Sequence, residues 1–283
     1  MHFTNRLNPF LLGPFHVGGM ELGIRWYGMA YVLGFVFAYM ALNRAMQAGK
    51  IKGLDSKSLE SLVFGIILGV LVGGRMGFVV QNLGRWKADP MFPLKLQEGG
   101  MAFFGGLIGV VIALALFGRK HKTDFYALGD VLAPVTALAL GIGRIANFVN
   151  GELWGKPTNA DWGVVYPHKD LLYRHPSELY ECATHIFLAA FLWWLGRTTA
   201  GSRRGVVSAV FVIGYGLFRV VTEIFRDQDY YVGPFSAGQI ASALTALVGV
   251  GMLVFNKRSK PVADKDASES PAAVESAETI HLQ

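Results

Sequence analysis

The 283-residue chain is poor in charged side chains, and this scarcity excludes most soluble folds. Only 16% of its residues are Asp, Glu, Lys or Arg and 52% are hydrophobic, whereas a typical soluble domain is about 25% charged. The single cysteine, Cys182, excludes an internal disulfide framework and a cysteine-based metal cluster. The chain also lacks the short alternating strands of a membrane β-barrel. These features predict an all-α, polytopic helical membrane protein.

The histidines are scattered without the spacing of a metal site, so we expect no metal and no cofactor. A formal net charge of +6 would suit nucleic acid, but the basic residues cluster in short loops between apolar runs. Such clusters are typical of topology signals and of contact with anionic lipid headgroups, so we expect no nucleic-acid partner. Residues 1–23 lack the pattern of a cleavable signal peptide, so we expect the spans themselves to direct insertion.

Long apolar runs predict about seven transmembrane helices around a polar cavity. Residues 1–25 are amphiphilic, and we expect them to lie along the membrane interface. The predicted catalytic domain, residues 1–256, includes a polar excursion over 150–174. The tail, 257–283, has no periodicity and is predicted to be disordered. Six of the predicted spans cover residues 26–42, 59–80, 128–149, 179–195, 206–225 and 237–255. The remaining one, span three, follows the glycine-flanked 99–106 run and ends near residue 117.

The cations in the loops predict an orientation. The loops after spans one, three, five and seven carry more of them than the opposite loops do, although the bias is moderate. The positive-inside rule therefore places the N-terminus outside and the C-terminal tail in the cytoplasm. The cations in those four loops are Arg44, Lys50, Lys52, Lys57, Arg119, Lys120, Lys122, Arg197, Arg203, Arg204, Lys257, Arg258, Lys260 and Lys265.

Residues 143–155 concentrate hydrogen-bonding groups at the end of an apolar run. Arg144, Asn147, Asn150 and Glu152 fall within nine residues of one another. An arginine at the bilayer centre costs roughly 2.5–3.5 kcal/mol on insertion scales, so such residues usually face a cavity. The glycines of the stretch, including Gly155, allow a backbone or a ligand to approach closely. We interpret the stretch as the floor of an anion-binding pocket at the outer edge of the membrane.

A second polar set recurs on predicted span six. Tyr215, Arg219 and Glu223 stand at four-residue steps and Arg226 follows, so all four share one helix face. One interpretation is a structural ion pair between helices. The other is that Arg144 and Arg219 together grip a phosphate, for which forked guanidinium groups are well suited.

Other polar residues favour structural roles. Asp130 and Arg75 are expected to be structural partners, and Cys182 is expected to pack in the core. The run 174–181 is typical of a capped helix start, because Pro176 suits the first turn and acidic residues suit the N-terminal end of a helix.

Taken together, these motifs resemble the prolipoprotein diacylglyceryl transferase family of the bacterial inner membrane. Residues 143–155 match its signature, Gly-Arg-x-(Gly/Ala)-Asn-Phe-x-Asn-x-Glu-x-x-Gly, throughout. The resemblance covers nearly the whole chain outside the tail. Further agreement lies in residues 25–28, 73–75, 99–106, 174–181 and 215–226.

The resemblance implies that the diacylglyceryl group of phosphatidylglycerol moves to the lipobox cysteine of a prolipoprotein. A thioether forms and glycerol phosphate leaves, so the enzyme must align a thiolate with a C–O bond and stabilise the departing phosphate. The expected partners are phosphatidylglycerol, prolipoprotein signal peptides and membrane lipids, and the chain is expected to be a monomer. The family's catalytic positions match Arg144, Arg219, Glu223 and Tyr27. Its lipid-binding positions match Arg144, Asn147, Asn150, Glu152, Gly155, Tyr215, Arg219 and Arg226.

One position departs from the family. Many members carry a histidine, a favoured general base, where this chain has Phe104. Losing a positioned base typically costs on the order of 10²–10⁴ in rate, and a cysteine with a pKa near 8.5 is mostly protonated at neutral pH. Either the arginine field ionises the thiol, or Glu223, Glu152 or Tyr27 accepts the proton, or the chain is an impaired paralogue. We predict retained activity, because every phosphate-gripping position survives, with Phe104 lining the acyl or peptide path.

Two rival functions use the same pocket. A carrier could hold an anionic lipid or solute there, but the chain shows no repeated halves. A catalytically silent paralogue would bind the lipid without transferring its diacylglyceryl group.

Overall fold

The computed structural model describes residues 3–17, 20–95, 99–228 and 231–256. The tail, 257–283, and its predicted disorder lie outside the described residues. A short 3-10 helix, Phe92–Leu94, follows α3. The helices are α1 (Trp26–Gln47), α2 (Ser56–Gln81), α3 (Leu83–Ala88), α4 (Phe103–His121), α5 (Phe125–Asn150), α6 (Ser177–Leu195), α7 (Val206–Glu223) and α8 (Ala237–Asn256). The strands are β1 (Phe3–Thr4), β2 (Phe10–Val17), β3 (Met20–Arg25), β4 (Val164–Val165), β5 (Tyr173–Arg174), β6 (Tyr231–Val232) and β7 (Phe235–Ser236).

Among the described residues, six helices are long and apolar enough to cross a membrane: α1, α2, α4, α5, α7 and α8. The prediction of a polytopic helical membrane protein is therefore confirmed. Helix α6 coincides with predicted span five but is not one of the six, because its first half is polar. That half buries Ser177, Glu178, Glu181 and His185. The seventh crossing stays a prediction.

Most helices run one to several residues past the predicted spans, because they end at capping residues and not where the apolar runs end, whereas α7 ends two residues before its predicted span does. Asp55 begins α2 with a capping box, in which its carboxylate accepts from Ser58 N at 2.7 Å and its own N–H donates to Ser58 Oγ at 2.8 Å. Asp124 caps α5 through Tyr126 N at 2.9 Å. Helix α5 ends at Asn150 and is capped by Gly151, whose φ of +66° suits glycine.

Helix α5 is the central element, in contact with α1, α4, α6 and α7, while α2 packs on α4 and α7 packs on α8. Small residues let α2 and α4 approach closely. A Cβ on Gly69 would lie 2.7 Å from the carbonyl carbon of Gly109, and one on Gly77 would lie 2.8 Å from Gly105 Cα. Substituting either glycine would push these two helices apart.

The end of the bundle opposite the candidate site is fixed by polar contacts. Asp130 accepts from Gly205 N at 2.6 Å and from Ser208 N at 2.8 Å, so it caps the start of α7. Arg204 pairs with Asp124. Near the site end, Arg75 donates to backbone carbonyls of the α3–α4 connection, including Pro93 O at 3.0 Å and Gly99 O at 2.6 Å. Asp130 and Arg75 thus take the structural roles predicted for them.

The N-terminal region contains strands that the all-α prediction missed. Residues 10–17 and 20–25 pair as the antiparallel hairpin β2–β3. Strand β1 pairs in parallel with β4, which pairs with β5. Strands β1, β4 and β5 have two residues each and give no detectable alternation, and the distant partner of β1 cannot be identified from local sequence.

Candidate active site

Three guanidinium groups meet at one buried carboxylate, that of Glu181 on α6. Arg144 Nε lies 2.7 Å from its Oε2, and Arg219 pairs with its Oε1. Arg226 Nη1 lies 3.6 Å from the same Oε1. Arg144 and Arg219, from α5 and α7, are therefore brought together, as the phosphate hypothesis requires. Their pairing with Glu181 on α6 is also the ion pair between helices that the other interpretation predicted. We call these four residues, together with Glu223, the guanidinium cluster.

Glu223 completes the cluster from within α7. Arg219 Nη2 lies 2.8 Å from Glu223 Oε2, one helical turn away. This is the pair that the four-residue spacing predicted. Three guanidinium groups thus face two carboxylates, so the cluster carries a formal surplus of one positive charge.

The cluster exposes its cations more than its anions. The Arg144, Arg219 and Arg226 side chains are 17%, 13% and 14% exposed, against 2% for Glu181 and 0% for Glu223. The buried carboxylates limit the cost of placing arginines in an apolar bundle. They also fix the guanidinium groups in advance, which is the arrangement that stabilises charge developing on a leaving group.

The C-terminal end of α5 places amides and a carboxylate beside Arg144. Arg144 Nη1 donates to Asn147 Oδ1 at 3.3 Å. Asn147 Nδ2 and Asn150 Nδ2 donate to the two oxygens of Glu152, at 3.5 Å and 3.3 Å. Glu152 is exposed. The motif residues of the 143–155 stretch therefore form one hydrogen-bonded row that runs from the cluster to an accessible carboxylate.

The turn after α5 is sharply bent. Gly151 has φ +66° and Leu153 has φ +63°, which is uncommon for a residue with a side chain. The Ser177 hydroxyl donates to the Leu153 carbonyl at 3.0 Å and holds the turn against the start of α6. Backbone strain of this kind often lies at functional sites.

Gly155 joins the polar excursion to the end of α7. Its N–H donates to His175 O at 2.9 Å, it bridges to Arg226, and Lys156 N donates to Phe225 O at 2.8 Å. A Cβ at Gly155 would lie 2.6 Å from Phe225 O, so only glycine fits. Gly155 therefore helps to hold Arg226 against Glu181.

Arg226 lies elsewhere than predicted. We placed it on the helix face of span six, but α7 ends at Glu223 and Arg226 lies in the turn beyond it. Its backbone N–H donates to Glu223 O, three residues earlier, at 3.3 Å. A hydrogen bond of this spacing is of the 3-10 type and ends the helix. It reaches Glu181 from this turn.

Arg174 anchors the excursion. Its buried guanidinium donates to Gly155 O at 3.0 Å and to Asp227 Oδ2 at 2.9 Å, and it forms three hydrogen bonds to Asp170. These bonds lower the pKa of Asp170. His175 Nδ1 lies 3.1 Å from Tyr180 Oη, and burial lowers the pKa of His175. The run 174–181 is thus more than the capped helix start that its sequence indicated.

The predicted tyrosines have different surroundings. Tyr215 interacts electrostatically with Arg219, Arg144 and Glu181, and its ring packs on His185 at 5.6 Å between centroids. Tyr27 is 38% exposed, and its ring packs on Tyr31, within α1, at 5.3 Å. Tyr215 therefore belongs to the cluster's surroundings, and the role of Tyr27 stays a prediction.

Phe104 lies in an aromatic group near Tyr215. Phe103 stacks on Tyr215 at 6.2 Å between centroids, and Phe104 packs edge-on against Phe103 at 5.4 Å. Phe104 is 56% exposed, so it is the outer member of this group.

Glu181 is the residue that sequence reasoning missed. It appeared only as part of the 174–181 match, as one of the acidic residues that suit a helix start. A carboxylate inside an apolar helix needs a cationic partner, and this rule alone could have identified Glu181 as a candidate member of the site. Its three partners, on other segments, could not be identified from local spacing.

These features define a class: a multi-pass helical membrane protein with a buried cluster of arginines and glutamates at one end of its helices. Residues 14–255 match the family model described as prolipoprotein diacylglyceryl transferase. The chain belongs to the prolipoprotein diacylglyceryl transferase family, which confirms the resemblance.

Similar proteins carry one name, phosphatidylglycerol--prolipoprotein diacylglyceryl transferase. One from Bordetella bronchiseptica is 41% identical over 244 residues, 84% of this chain and 92% of the relative. One from Shewanella oneidensis is 41% identical over 265 residues, 90% and 97% of the two chains. One from Vibrio cholerae is 38% identical over 268 residues, 92% and 94% of the two chains.

Proposed function

We propose that this protein transfers the diacylglyceryl group of phosphatidylglycerol to the lipobox cysteine of prolipoproteins in the bacterial inner membrane. The names of its relatives supply the lipid and the protein substrate. The observation that carries the proposal is the meeting of Arg144 and Arg219 on one carboxylate, in a cluster with a cationic surplus. A site that places two guanidinium groups around one small anion suits the phosphate of this lipid.

The reaction breaks the bond between the glycerol C3 of the diacylglyceryl group and its phosphate oxygen. The cysteine sulfur forms a thioether with that carbon, and glycerol phosphate leaves with the electron pair of the broken bond. Arg144, Arg219 and Arg226 bind the phosphate and stabilise the charge that it gains as it departs. Glu181 and Glu223 keep the guanidinium groups in place when the lipid is absent.

The thiol must also lose its proton, and the surroundings of the three candidate acceptors differ. Glu223 is fully buried and paired with Arg219, and Tyr27 packs on Tyr31. Glu152 is exposed, and the amides of the α5 end hold it beside Arg144. We therefore propose Glu152 as the proton acceptor that replaces the family histidine.

Phe104 takes a different role in this proposal. It is apolar, 56% exposed and continuous with the aromatic group on Tyr215. We propose that it lines the path of an acyl chain or of the signal peptide, as its position in the sequence led us to expect.

Purified full-length protein with phosphatidylglycerol and a lipobox peptide tests the proposal. We expect the peptide to gain the mass of a diacylglyceryl group, and a peptide with Cys→Ser to gain nothing. Phosphatidylcholine vesicles provide the lipid control. Binding of phosphatidylglycerol without any transfer would favour the silent paralogue, and movement of the lipid or an anion across vesicles without transfer would favour the carrier.

We further propose that residues 1–256 form one monomeric catalytic domain with the cluster on the periplasmic side, the N-terminus outside and the C-terminus cytoplasmic. The loop cations support this orientation. In a Cys182→Ala background, Asn159→Cys and Ser202→Cys place thiols at exposed sites at the two ends. We expect an impermeant maleimide to label Asn159→Cys in intact cells and to leave Ser202→Cys unlabelled; the reverse pattern would overturn the orientation.

A further inference from the structure

The Glu223 carboxylate is held by the start of α8 as well as by Arg219. Ser236, the last residue of β7, donates from Oγ to Glu223 Oε1 at 3.3 Å. Arg219 Nη2 lies 2.8 Å from the other oxygen, Oε2. Ser236 is only 2% exposed and the Glu223 side chain is fully buried. Two different segments thus hold the two oxygens of one buried carboxylate.

Gly238 faces the same carboxylate. The atom nearest to a Cβ built on Gly238 would be Glu223 Oε1, and the same Cβ would lie 2.6 Å from Glu223 Cδ and 3.2 Å from its Oε2. Any residue other than glycine would therefore displace the carboxylate of Glu223 or move the start of α8. The carboxylate fills the space that a methyl group would occupy.

The Ser236 hydroxyl is oriented by a reciprocal cap. Gln239 N donates to Ser236 Oγ at 3.0 Å, and Ser236 N donates to Gln239 Oε1 at 3.0 Å. Because Oγ accepts from Gln239 N, its own hydrogen is available to Glu223. The cap of α8 thus directs this hydroxyl hydrogen at the carboxylate.

We infer that Ser236 and Gly238 are positioning residues for the transferase site. They set the position of the Glu223 carboxylate, and Glu223 with Glu181 sets the direction in which Arg219 presents its guanidinium group. The inference rests on the proposed function, because its main test measures the rate of diacylglyceryl transfer. A displacement of about 1 Å at such a group can cost on the order of 10²-fold in rate.

The first comparison is Gly238→Ala against Gly251→Ala. Both glycines lie in α8, but a Cβ on Gly251 would have no atom within 4 Å. We expect Gly238→Ala to lower kcat by about 10- to 100-fold and Gly251→Ala to keep kcat close to wild type, with both proteins folded by thermal melting. Wild-type turnover in folded Gly238→Ala would overturn the inference.

A compensating change separates positioning from general damage to α8. Glu223→Asp shortens the side chain by one methylene and leaves room for a methyl group at residue 238. We expect Gly238→Ala to lower kcat in the Glu223 background and to leave it unchanged or raise it in the Glu223→Asp background. An equal loss in both backgrounds would mean that the methyl group acts through the helix, and the inference would be wrong.

Ser236 gives an independent test that stands even where Gly238→Ala does not fold. Ser236→Thr keeps the hydroxyl and the cap, whereas Ser236→Asp keeps a capping oxygen but places a second carboxylate beside Glu223. We expect Ser236→Thr to retain kcat. Ser236→Asp should melt at a lower temperature because it buries a second negative charge, and it should lose kcat at least tenfold in an assay run well below that temperature. Equal turnover in the two variants would contradict the inference.

Wild-type transfer from phosphatidylglycerol to the lipobox peptide is measured first, and its absence would refute the proposed function alone. In that event the same variants are compared by their affinity for phosphatidylglycerol in nanodiscs. We again expect Gly238→Ala to weaken binding in the Glu223 background and not in the Glu223→Asp background, and an equal loss in both backgrounds is again the contradiction.

Discussion

Arg144 and Arg219 lie on different helices and share one carboxylate: Arg144 Nε is 2.7 Å from Glu181 Oε2, and Arg219 pairs with Glu181 Oε1. Both guanidinium groups are partly exposed above a carboxylate that is almost fully buried. Two guanidinium groups thus share one negative charge, and we propose that this arrangement holds them ready for the phosphate of the lipid.

Glu181→Gln should destabilise the protein. It removes the buried charge that three partly exposed guanidinium groups share, and breaking a buried pair costs about 3–5 kcal/mol. We expect a lower melting temperature, and we expect added phosphatidylglycerol to raise it more than in wild type, because the phosphate replaces the missing charge. Exposed Glu60→Gln is the control, and melting of Glu181→Gln at the control's temperature would contradict the prediction.

Glu152→Gln should slow transfer by about 10²-fold near neutral pH. Glutamine preserves the shape of the side chain but cannot take the thiol proton. The loss should shrink as the pH approaches about 8.5, because the substrate thiol then ionises by itself. Asp161→Asn, an exposed change on the same excursion, serves as the control. A wild-type pH–rate profile for Glu152→Gln would exclude it as the proton acceptor.

Phe104→His should change turnover by less than about tenfold, below the range expected for gaining a required base. Phe104→Leu, which keeps an apolar lining, should act like wild type in the peptide assay. A rise in turnover of several orders of magnitude in Phe104→His would show that this chain is an enzyme impaired by the lack of the histidine.

Asp170 should make stability depend on pH. Arg174 lowers the pKa of Asp170 in the folded protein, so the ionised pair stabilises the fold above the usual aspartate pKa of about 3.9. This stability is lost as the pH falls through the lowered pKa. Wild type should therefore melt above Asp170→Asn at neutral pH, and the gap should close in acid. A gap that does not change with pH would contradict the assignment.

The sequence predicted the parts of the molecule that local patterns determine. Apolar runs located the long helices, and the four-residue step predicted the Arg219–Glu223 pair. The Glu181 contacts join segments far apart in the chain, so no local period marks them. Arg226 was placed on a helix because hydropathy does not locate a helix end, which depends on backbone hydrogen bonds.

The same limit applies to the positioning residues at α8. The run 236–239 matches a capping pattern, Ser-x-x-Gln, which predicts a helix start and nothing more. Its second role, contact with Glu223, emerges only where α7 and α8 pack together.

The most direct test of the shared arginine site is a double-mutant cycle on transfer from phosphatidylglycerol to the lipobox peptide. Arg144→Ala and Arg219→Ala should each lower kcat/KM by about 10²–10³-fold. The double variant should be little worse than either one, because residues that act as a unit are not additive. Arg197→Ala, in the loop before α7, should match wild type. Full activity in either single variant, or losses that simply multiply in the double variant, would contradict the account.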